Sequence, residues 1–329
     1  MLAAIPEAAH VWRFQVHPEV WLLVAALAGL YVWAARVVGP KVVPAGQPVL
    51  TRRNMVAAGF GIVLLWAASD WPMHDFGEEY LYAVHMVQHT LLTLVVPPLA
   101  LLATPRWLAD LILGQGKVRR VIRAASMPVV AGVAYNAMVM AVHWPALVNA
   151  SVENGALHYV VHVVLVFTAL MMWMPVCGPI EEWRMGIPAK MIYLFVMSVI
   201  PTVPGGWLTF AENAVYTSYD TPTRAFGISV QDDQQAAGVF MKLFAGSWLW
   251  FLITCQFFVW AFRHQREEEA LDRAARGVRP SPAPAAEGTT TTDDDERDAA
   301  LVDGPLTYEA VAEAFAATAP APEPGTRRP

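Results

Sequence analysis

The pattern of apolar and polar residues divides the chain into long apolar segments separated by short polar connections. A run of about 20 apolar residues is long enough to cross the hydrocarbon core of a bilayer as a helix. Seven segments approach this length, and the second and sixth are short for a complete crossing. The pattern therefore predicts seven transmembrane helices, at about residues 19–38, 55–70, 80–103, 127–147, 157–176, 189–203 and 236–262.

Composition supports this interpretation. Of the 329 residues, 56% are hydrophobic and 15% are charged, and the mean hydropathy is +0.40. Soluble domains carry roughly 25% charged residues. The net charge of −6 says little, because much of the acid lies near the C-terminus. We predict an all-α integral membrane protein, whose N-terminus lacks the features of a cleaved signal peptide and is retained.

Lysine and arginine in the short connections indicate the orientation, because cytoplasmic loops are enriched in both. The opposite connections contain only Arg13 and Arg224. We therefore predict an external N-terminus and a cytoplasmic C-terminus. The basic residues of alternate connections, which all fall on one side, are Arg36, Lys41, Arg52, Arg53, Arg106, Lys117, Arg119, Arg120, Arg123, Arg184, Lys190, Arg263 and Arg266.

Three regions follow from these assignments. Residues 1–18 form a short external segment, and residues 19–263 form the membrane domain. Residues 264–329 are rich in proline, threonine and acidic residues, a composition that buries no core. We expect a disordered cytoplasmic tail there, with at most a transient helix at 306–317.

With this topology, eight of the nine histidines lie outside or in the outer half of the membrane. His85 and His89 begin the third helix, and His158 and His162 begin the fifth; each pair has the i, i+4 spacing that places two side chains on one helix face. His143 ends the fourth helix. Ionisable groups in membrane helices are costly and usually face the protein interior. We therefore predict that these five imidazoles meet and bind a metal or protons.

Imidazole suits zinc, copper, iron and nickel, and thioether ligands shift the preference toward Cu(I). Neither cysteine lies near the predicted site, which argues against a thiolate zinc or iron–sulfur centre. Gln88 and Asn136 are candidates for orienting the rings. His10 and His17 lie in an external amphipathic stretch and are expected to be solvated. Secondary candidates around the metal are His74, Asp75, Met86, Asp233, Gln234 and Met241.

Other interpretations stay open. Histidines on neighbouring helices can ligate a haem, although i, i+4 pairs crowd four rings where a haem needs two; the chain has no CxxCH motif for covalent attachment. A retinal protein would need Lys242, but this residue lies near the outer end of its helix and the third helix has no aspartate counter-ion. The sequence is also compatible with a scaffold for oxidase subunits or lipids, and with a transporter that has broken helices.

Four stretches resemble the polytopic CtaG-type cytochrome c oxidase assembly factors, over roughly residues 55–262. One departure is Lys242, which stands where we expect an aromatic residue. The matching stretches are HMVQHTLLTLVVPPLALLATP (85–105), HWPALVNASVENGALHYVVHVVLVFTALMMWMPVCGP (143–179), TFAENAVYTSY (209–219) and DDQQAAGVFMK (232–242).

The resemblance implies a role in producing an active haem–copper oxidase through copper supply, and the thioether neighbours favour Cu(I) as the form of the copper. It implies a carrier and not an enzyme, in the bacterial cytoplasmic membrane, with oxidase subunits and the lipid bilayer as partners and no nucleic acid. The histidines in the family's motifs are the five named above. The acidic-Gln motif of the last helix is Asp233 and Gln234, followed by Gly238 and Met241.

Overall fold

The computed structural model describes residues 12–220 and 224–277, and the regular secondary structure in these ranges is helical throughout. Single 3-10 turns interrupt some of the connections. The helices, in chain order, are α1 (Pro18–Val42), α2 (Arg52–Ser69), α3 (Met73–Tyr80), α4 (Tyr82–Ala103), α5 (Arg106–Leu113), α6 (Lys117–Ala125), α7 (Pro128–Val142), α8 (Pro145–Glu153), α9 (Gly155–Cys177), α10 (Ile187–Thr209) and α11 (Val230–Gly277).

Five of these helices, α1, α4, α9, α10 and α11, are each long and apolar enough to cross a membrane. Two further candidates are bent pairs: α2 with α3, at an angle of 46°, and α6 with α7, at 70°. Counting each pair as one crossing gives seven. The predicted all-helical membrane fold is therefore confirmed, with five crossings or up to seven.

The last helix is longer than predicted. Its helical backbone ends at Gly277, beyond the predicted end at residue 262. Residues 264–277 are rich in glutamate, alanine and arginine, which are good helix formers, so the helix continues after the apolar run stops. The predicted tail thus begins as a helix. The predicted transient helix at 306–317 lies outside the described residues.

Helix α4 lies at the centre of the bundle. It packs against α2, α9 and the first part of α11, and it is the most buried of the five helices that qualify alone. A proline pair, Pro97 and Pro98, interrupts its hydrogen bonding, because proline has no N–H to donate to the carbonyl four residues earlier. The carbonyls left without their helical partner are those of Thr93 and Leu94, in a π-helical turn at Leu91–Val95.

Two tryptophans from neighbouring helices supply the missing donors. The indole Nε1 of Trp173 in α9 donates to the carbonyl oxygen of Thr93 at 2.9 Å, and that of Trp248 in α11 donates to Leu94 at 3.2 Å. Such bonds satisfy polar backbone that lipid cannot. The proline pair therefore fixes α4 to both of its neighbours.

The connections predicted to be cytoplasmic meet at one end of the bundle. Trp107 in α5 donates its indole N–H to the carbonyl oxygen of Val49, at 2.9 Å, which joins the first and third connections. Arg106 forms an ion pair with Glu182, at 2.6 Å, which joins the third and fifth. The paired histidines lie toward the opposite end.

Candidate metal centre

Helices α4 and α9 each present one histidine pair to the other. Within each pair the ring centroids are 4.3 Å apart, for His85 with His89 and for His158 with His162. Across the helices, the Nε2 atoms of His89 and His162 are 3.1 Å apart. We call these four residues the histidine quartet. Their i, i+4 spacing and the close packing of α4 and α9 bring the four rings together.

A carboxylate from α3 closes one side of the quartet. Glu78 Oε1 lies 2.6 Å from His158 Nε2, 3.7 Å from His85 Nδ1 and 3.9 Å from His74 Nδ1. The neighbouring Gly77 makes this approach possible, because a Cβ there would lie 3.0 Å from the Cα of His85. The turn that carries Glu78 thus packs directly on the backbone of α4.

These side chains offer two sets of three ligand atoms, each set within 4.8 Å: one from His85, His89 and His162, the other from Glu78, His158 and His162. Nitrogen and oxygen ligands at about 2.0–2.1 Å from a zinc ion lie roughly 3.3–3.5 Å from one another. The 3.1 Å approach of His89 and His162 is close to that separation. Small side-chain shifts would bring the other ligand atoms to the same separation from one another.

Several of these ligand atoms are buried without a hydrogen-bond partner: Glu78 Oε1, His85 Nδ1 and both ring nitrogens of His158. The 2.6 Å contact between Glu78 and His158 is short, but its geometry is not that of a hydrogen bond. Buried polar groups are normally satisfied, and leaving one unsatisfied costs roughly 1–3 kcal/mol. A cation bound among them would satisfy several at once, so the residues present fit a metal ion.

A second polar layer covers Glu78 on the outer side. His17 Nε2 lies 3.1 Å from Asp75 Oδ1, and its ring contacts that of His74 with centroids 5.1 Å apart. Gln88 Nε2 lies 3.2 Å from His74 Nδ1 and orients that ring. Burial lowers the pKa of His17, but the hydrogen bonds and charges of Asp75 and Glu19 outweigh it and raise that pKa above its ordinary value. The expectation that His17 is solvated is wrong, because the start of α1 lies over α3.

His143 lies apart from the quartet. Its Nδ1–H donates to the carbonyl oxygen of Val139 at 2.6 Å, and its Nε2 is buried without a partner. With His89, Met86 and Met241 it lines a separate cavity of about 60 Å³. The structure therefore brings four of the five predicted imidazoles together. Equal depth placed His143 near the others, and it shares a cavity with His89, but it belongs to neither set of three ligand atoms.

The acidic-Gln motif of α11 binds backbone. The carboxylate of Asp233 accepts hydrogen bonds from the amides of Tyr82, at 2.7 Å, and Ala83, at 3.0 Å. Gln234 Oε1 accepts from the amide of Val215 at 2.7 Å. The first amides of a helix have no partner within the helix. Asp233 therefore caps α4, and the structure gives it and Gln234 a structural role in place of the predicted contact with the metal.

The sequence profile of a family described as cytochrome c oxidase caa3 assembly factor matches residues 29–263. The chain belongs to this family. No curated protein and no solved structure is detectably similar to it. The match confirms the predicted resemblance and identifies an assembly factor for a cytochrome c oxidase, which works with that oxidase in a lipid membrane.

In this caa3 assembly factor, two members of the candidate site were not predicted from the sequence: Glu78 as a candidate ligand and His17 as part of the polar layer. The i, i+4 spacing of His74 and Glu78, directly before the helix with the first histidine pair, was an available sign. The family match includes Glu78 and the quartet, whereas His17 precedes it. Lys242, the departure from the family pattern, is exposed on the surface of α11 and does not intrude on the buried quartet.

Proposed function

We propose that this caa3 assembly factor binds copper at the histidine quartet and delivers it to the oxidase. The observation that supports the proposal is the group of converging, buried ligand atoms without hydrogen-bond partners, which includes His85 Nδ1 and both ring nitrogens of His158. Packing alone would favour satisfied rings. An assembly factor for a copper-containing enzyme has a use for such a centre.

The donor set favours copper in the Cu(I) state among the metals that imidazole binds. Buried Met86 lies between the two histidines of α4 in sequence, and it lines a cavity with His89; thioether donors shift preference toward Cu(I). Cys177 follows His162 by four turns of α9, about 22 Å along the helix axis. A thiolate from that residue is therefore too distant to contribute.

The arrangement suits a carrier better than a catalyst. Each set provides three ligands, whereas structural metal sites are normally closed by four. A site with an incomplete shell can release its metal to a partner. We therefore assign the chain a non-catalytic role, with an oxidase subunit as the recipient of the copper.

A haem is a weaker candidate for this site. The rings of His85 and His89 are 4.3 Å apart, and those of His89 and His162 are 4.6 Å apart. A haem iron needs two facing rings with the macrocycle between them. Rings already in contact leave no slot for that plane.

We further propose seven crossings in the bacterial cytoplasmic membrane, with the quartet near the outer face and the basic connections in the cytoplasm. The clustering of the first, third and fifth connections at one end supports this orientation. Their arginines and lysines match the enrichment expected of cytoplasmic loops.

The metal content of the purified chain tests the copper proposal. Wild type, the His85→Ala/His89→Ala variant and a His264→Ala control are purified in mild detergent after limited copper exposure and analysed by mass spectrometry. We expect about one copper per chain in wild type and control, and a loss of at least tenfold in the double variant. Equal copper in all three would place the copper outside the quartet and contradict the proposed site. No copper in folded wild type would contradict copper binding and favour a scaffold.

A further inference from the structure

We propose that His162 is shared by two mutually exclusive metal positions, and that the metal moves between them by exchanging its other ligands. The outer position uses Glu78 and His158, and the inner position uses His85 and His89. This inference deepens the proposed function and depends on metal binding at the quartet.

The shared residue follows from the geometry. His162 belongs to both sets of three ligand atoms, and no other residue does. A neutral imidazole has one unprotonated nitrogen and so binds one metal ion at a time. Two ions cannot occupy both positions unless His162 loses its remaining N–H proton and becomes an imidazolate. The chain therefore holds one ion, in one position or the other.

The two positions differ in charge and in contact with water. The Glu78 side chain is 23% exposed, whereas the side chain of His85 is 9% exposed. Glu78 contributes a negative charge to the outer position, and the inner position has neutral imidazoles only. Carboxylate oxygens suit harder cations, and imidazoles beside thioethers suit softer ones. The outer position should therefore prefer divalent ions, and the inner position should favour Cu(I).

The step between the positions is a ligand exchange without electron transfer. Bonds from the metal to Glu78 and His158 break, bonds to His85 and His89 form, and the bond to His162 is kept throughout. The 3.1 Å separation of the Nε2 atoms of His89 and His162 places both within reach of one ion at the inner position. The ion never leaves the protein completely during the move.

The location of the outer polar layer indicates which of the two positions an ion from outside meets first. His74 Nδ1 lies 3.9 Å from Glu78 Oε1, and beyond it His17 pairs with Asp75. The inner residue His89 instead borders the cavity that is also lined by His143. An ion arriving from outside therefore meets Glu78 first and the three imidazoles second.

Two probes that prefer different positions test the inference on the full chain in detergent. Zn²⁺ reports on the outer position, and Cu(I), competed with a chromogenic chelator, reports on the inner one. The variants are Glu78→Gln, His85→Ala and His162→Ala, and the matched control is Glu79→Gln. Glu79 neighbours Glu78 but is exposed, and it accepts a hydrogen bond from Gln15.

We expect Glu78→Gln to weaken Zn²⁺ binding at least tenfold while Cu(I) affinity changes less than threefold, and His85→Ala to show the reverse. His162→Ala should weaken both at least a hundredfold, and Glu79→Gln neither. X-ray absorption should show an oxygen ligand for Zn²⁺ and nitrogen ligands for Cu(I). Melting temperatures check the fold, and His162→Gln replaces an unfolded alanine variant.

Three results would overturn the inference while leaving copper binding intact: two ions bound per wild-type chain, equal losses of both metals in Glu78→Gln and His85→Ala, or retention of one metal in a folded His162 variant. Failure of wild type to bind either metal would instead overturn the proposed function. The two failures are therefore distinguishable.

Discussion

The polar side chains near the quartet differ in how well the protein itself satisfies them. Asp70 is 4% exposed and accepts indole N–H bonds from Trp21 and Trp66, both at 2.7 Å. His85 and His158 are similarly buried, yet His85 Nδ1 and both ring nitrogens of His158 have no hydrogen-bond partner. The fold can therefore supply donors to a buried carboxylate nearby. The contrast with these two histidines supports the metal-binding role proposed for them.

The ion pair of His17 and Asp75 leads to a pH-dependent stability. Because folding raises the pKa of His17 above its ordinary 6.5, the pair stabilises the folded state fully below about pH 6.5. This stabilisation is lost as the pH rises through the folded-state pKa. The pair is partly exposed, so we expect less than about 1 kcal/mol from it.

Melting temperatures in detergent measure this effect. The difference between wild type and His17→Ala should be largest near pH 5.5 and should shrink by pH 8.5. His264→Ala, at the other end of the chain, is the control and should show no such trend. A difference that grows with pH would contradict the sign derived from the ion pair.

At the scale of helices, glycines set how closely α10 and α11 approach. A Cβ at Gly238 would lie 2.5 Å from the carbonyl oxygen of Gly205 and 2.7 Å from the amide nitrogen of Thr209. Small residues commonly permit such close contact between membrane helices. Since the neighbouring turn of α11 carries Asp233, this contact also holds the cap of α4 in place.

Gly238→Ala should therefore destabilise the protein by roughly 1–3 kcal/mol, the usual cost of overpacking. The matched control is Gly206→Ala, since a Cβ at that position meets nothing within 4 Å. Unfolding in denaturing detergent measures both variants. Equal stability of the two variants would show that α10 and α11 can move apart without a loss of stability.

The helices could be predicted from the sequence better than their arrangement. The i, i+4 pairs of α4 and α9 were recognisable because spacing fixes which side chains share a helix face. Hydropathy also indicates depth, but it does not indicate the direction in which a side chain points. His143 was therefore grouped with the other four histidines, whereas it joins neither set of three ligand atoms. Glu78 was missed because α3 turns back toward His85, a bend that no local pattern specifies.

The capping of α4 by Asp233 could not be predicted from the sequence either. Asp233 and Tyr82 are 151 positions apart, and nothing in either segment identifies the other as its partner. A buried aspartate beside glutamines fits a ligand as well as a cap when only the sequence is known. The structure distinguishes the two roles, because the carboxylate of Asp233 accepts hydrogen bonds from the backbone amides of Tyr82 and Ala83.

At the scale of the whole molecule, the orientation of the bundle determines which side of the membrane the quartet faces. Thiol labelling of intact cells tests it in a chain whose two cysteines are replaced by serine. Thr217→Cys lies in an exposed connection on the quartet's side, and Lys117→Cys lies in an exposed basic connection at the opposite end. An impermeant reagent should label Thr217→Cys in intact cells and label Lys117→Cys only after lysis. The reverse pattern would place the quartet in the cytoplasm.

The cap that Asp233 places on α4 also bears on biosynthesis. A ribosome makes the helices with the histidine pairs long before it reaches residue 233, and until then the amides of Tyr82 and Ala83 have no carboxylate partner. The ring of Tyr82 stacks on that of His85, with centroids 5.9 Å apart, so the late formation of the cap also affects the histidine quartet. Nascent or truncated chains thus carry every histidine of the quartet but not its finished geometry. Under the proposed function, capture of copper is thereby deferred until the last helix has been inserted.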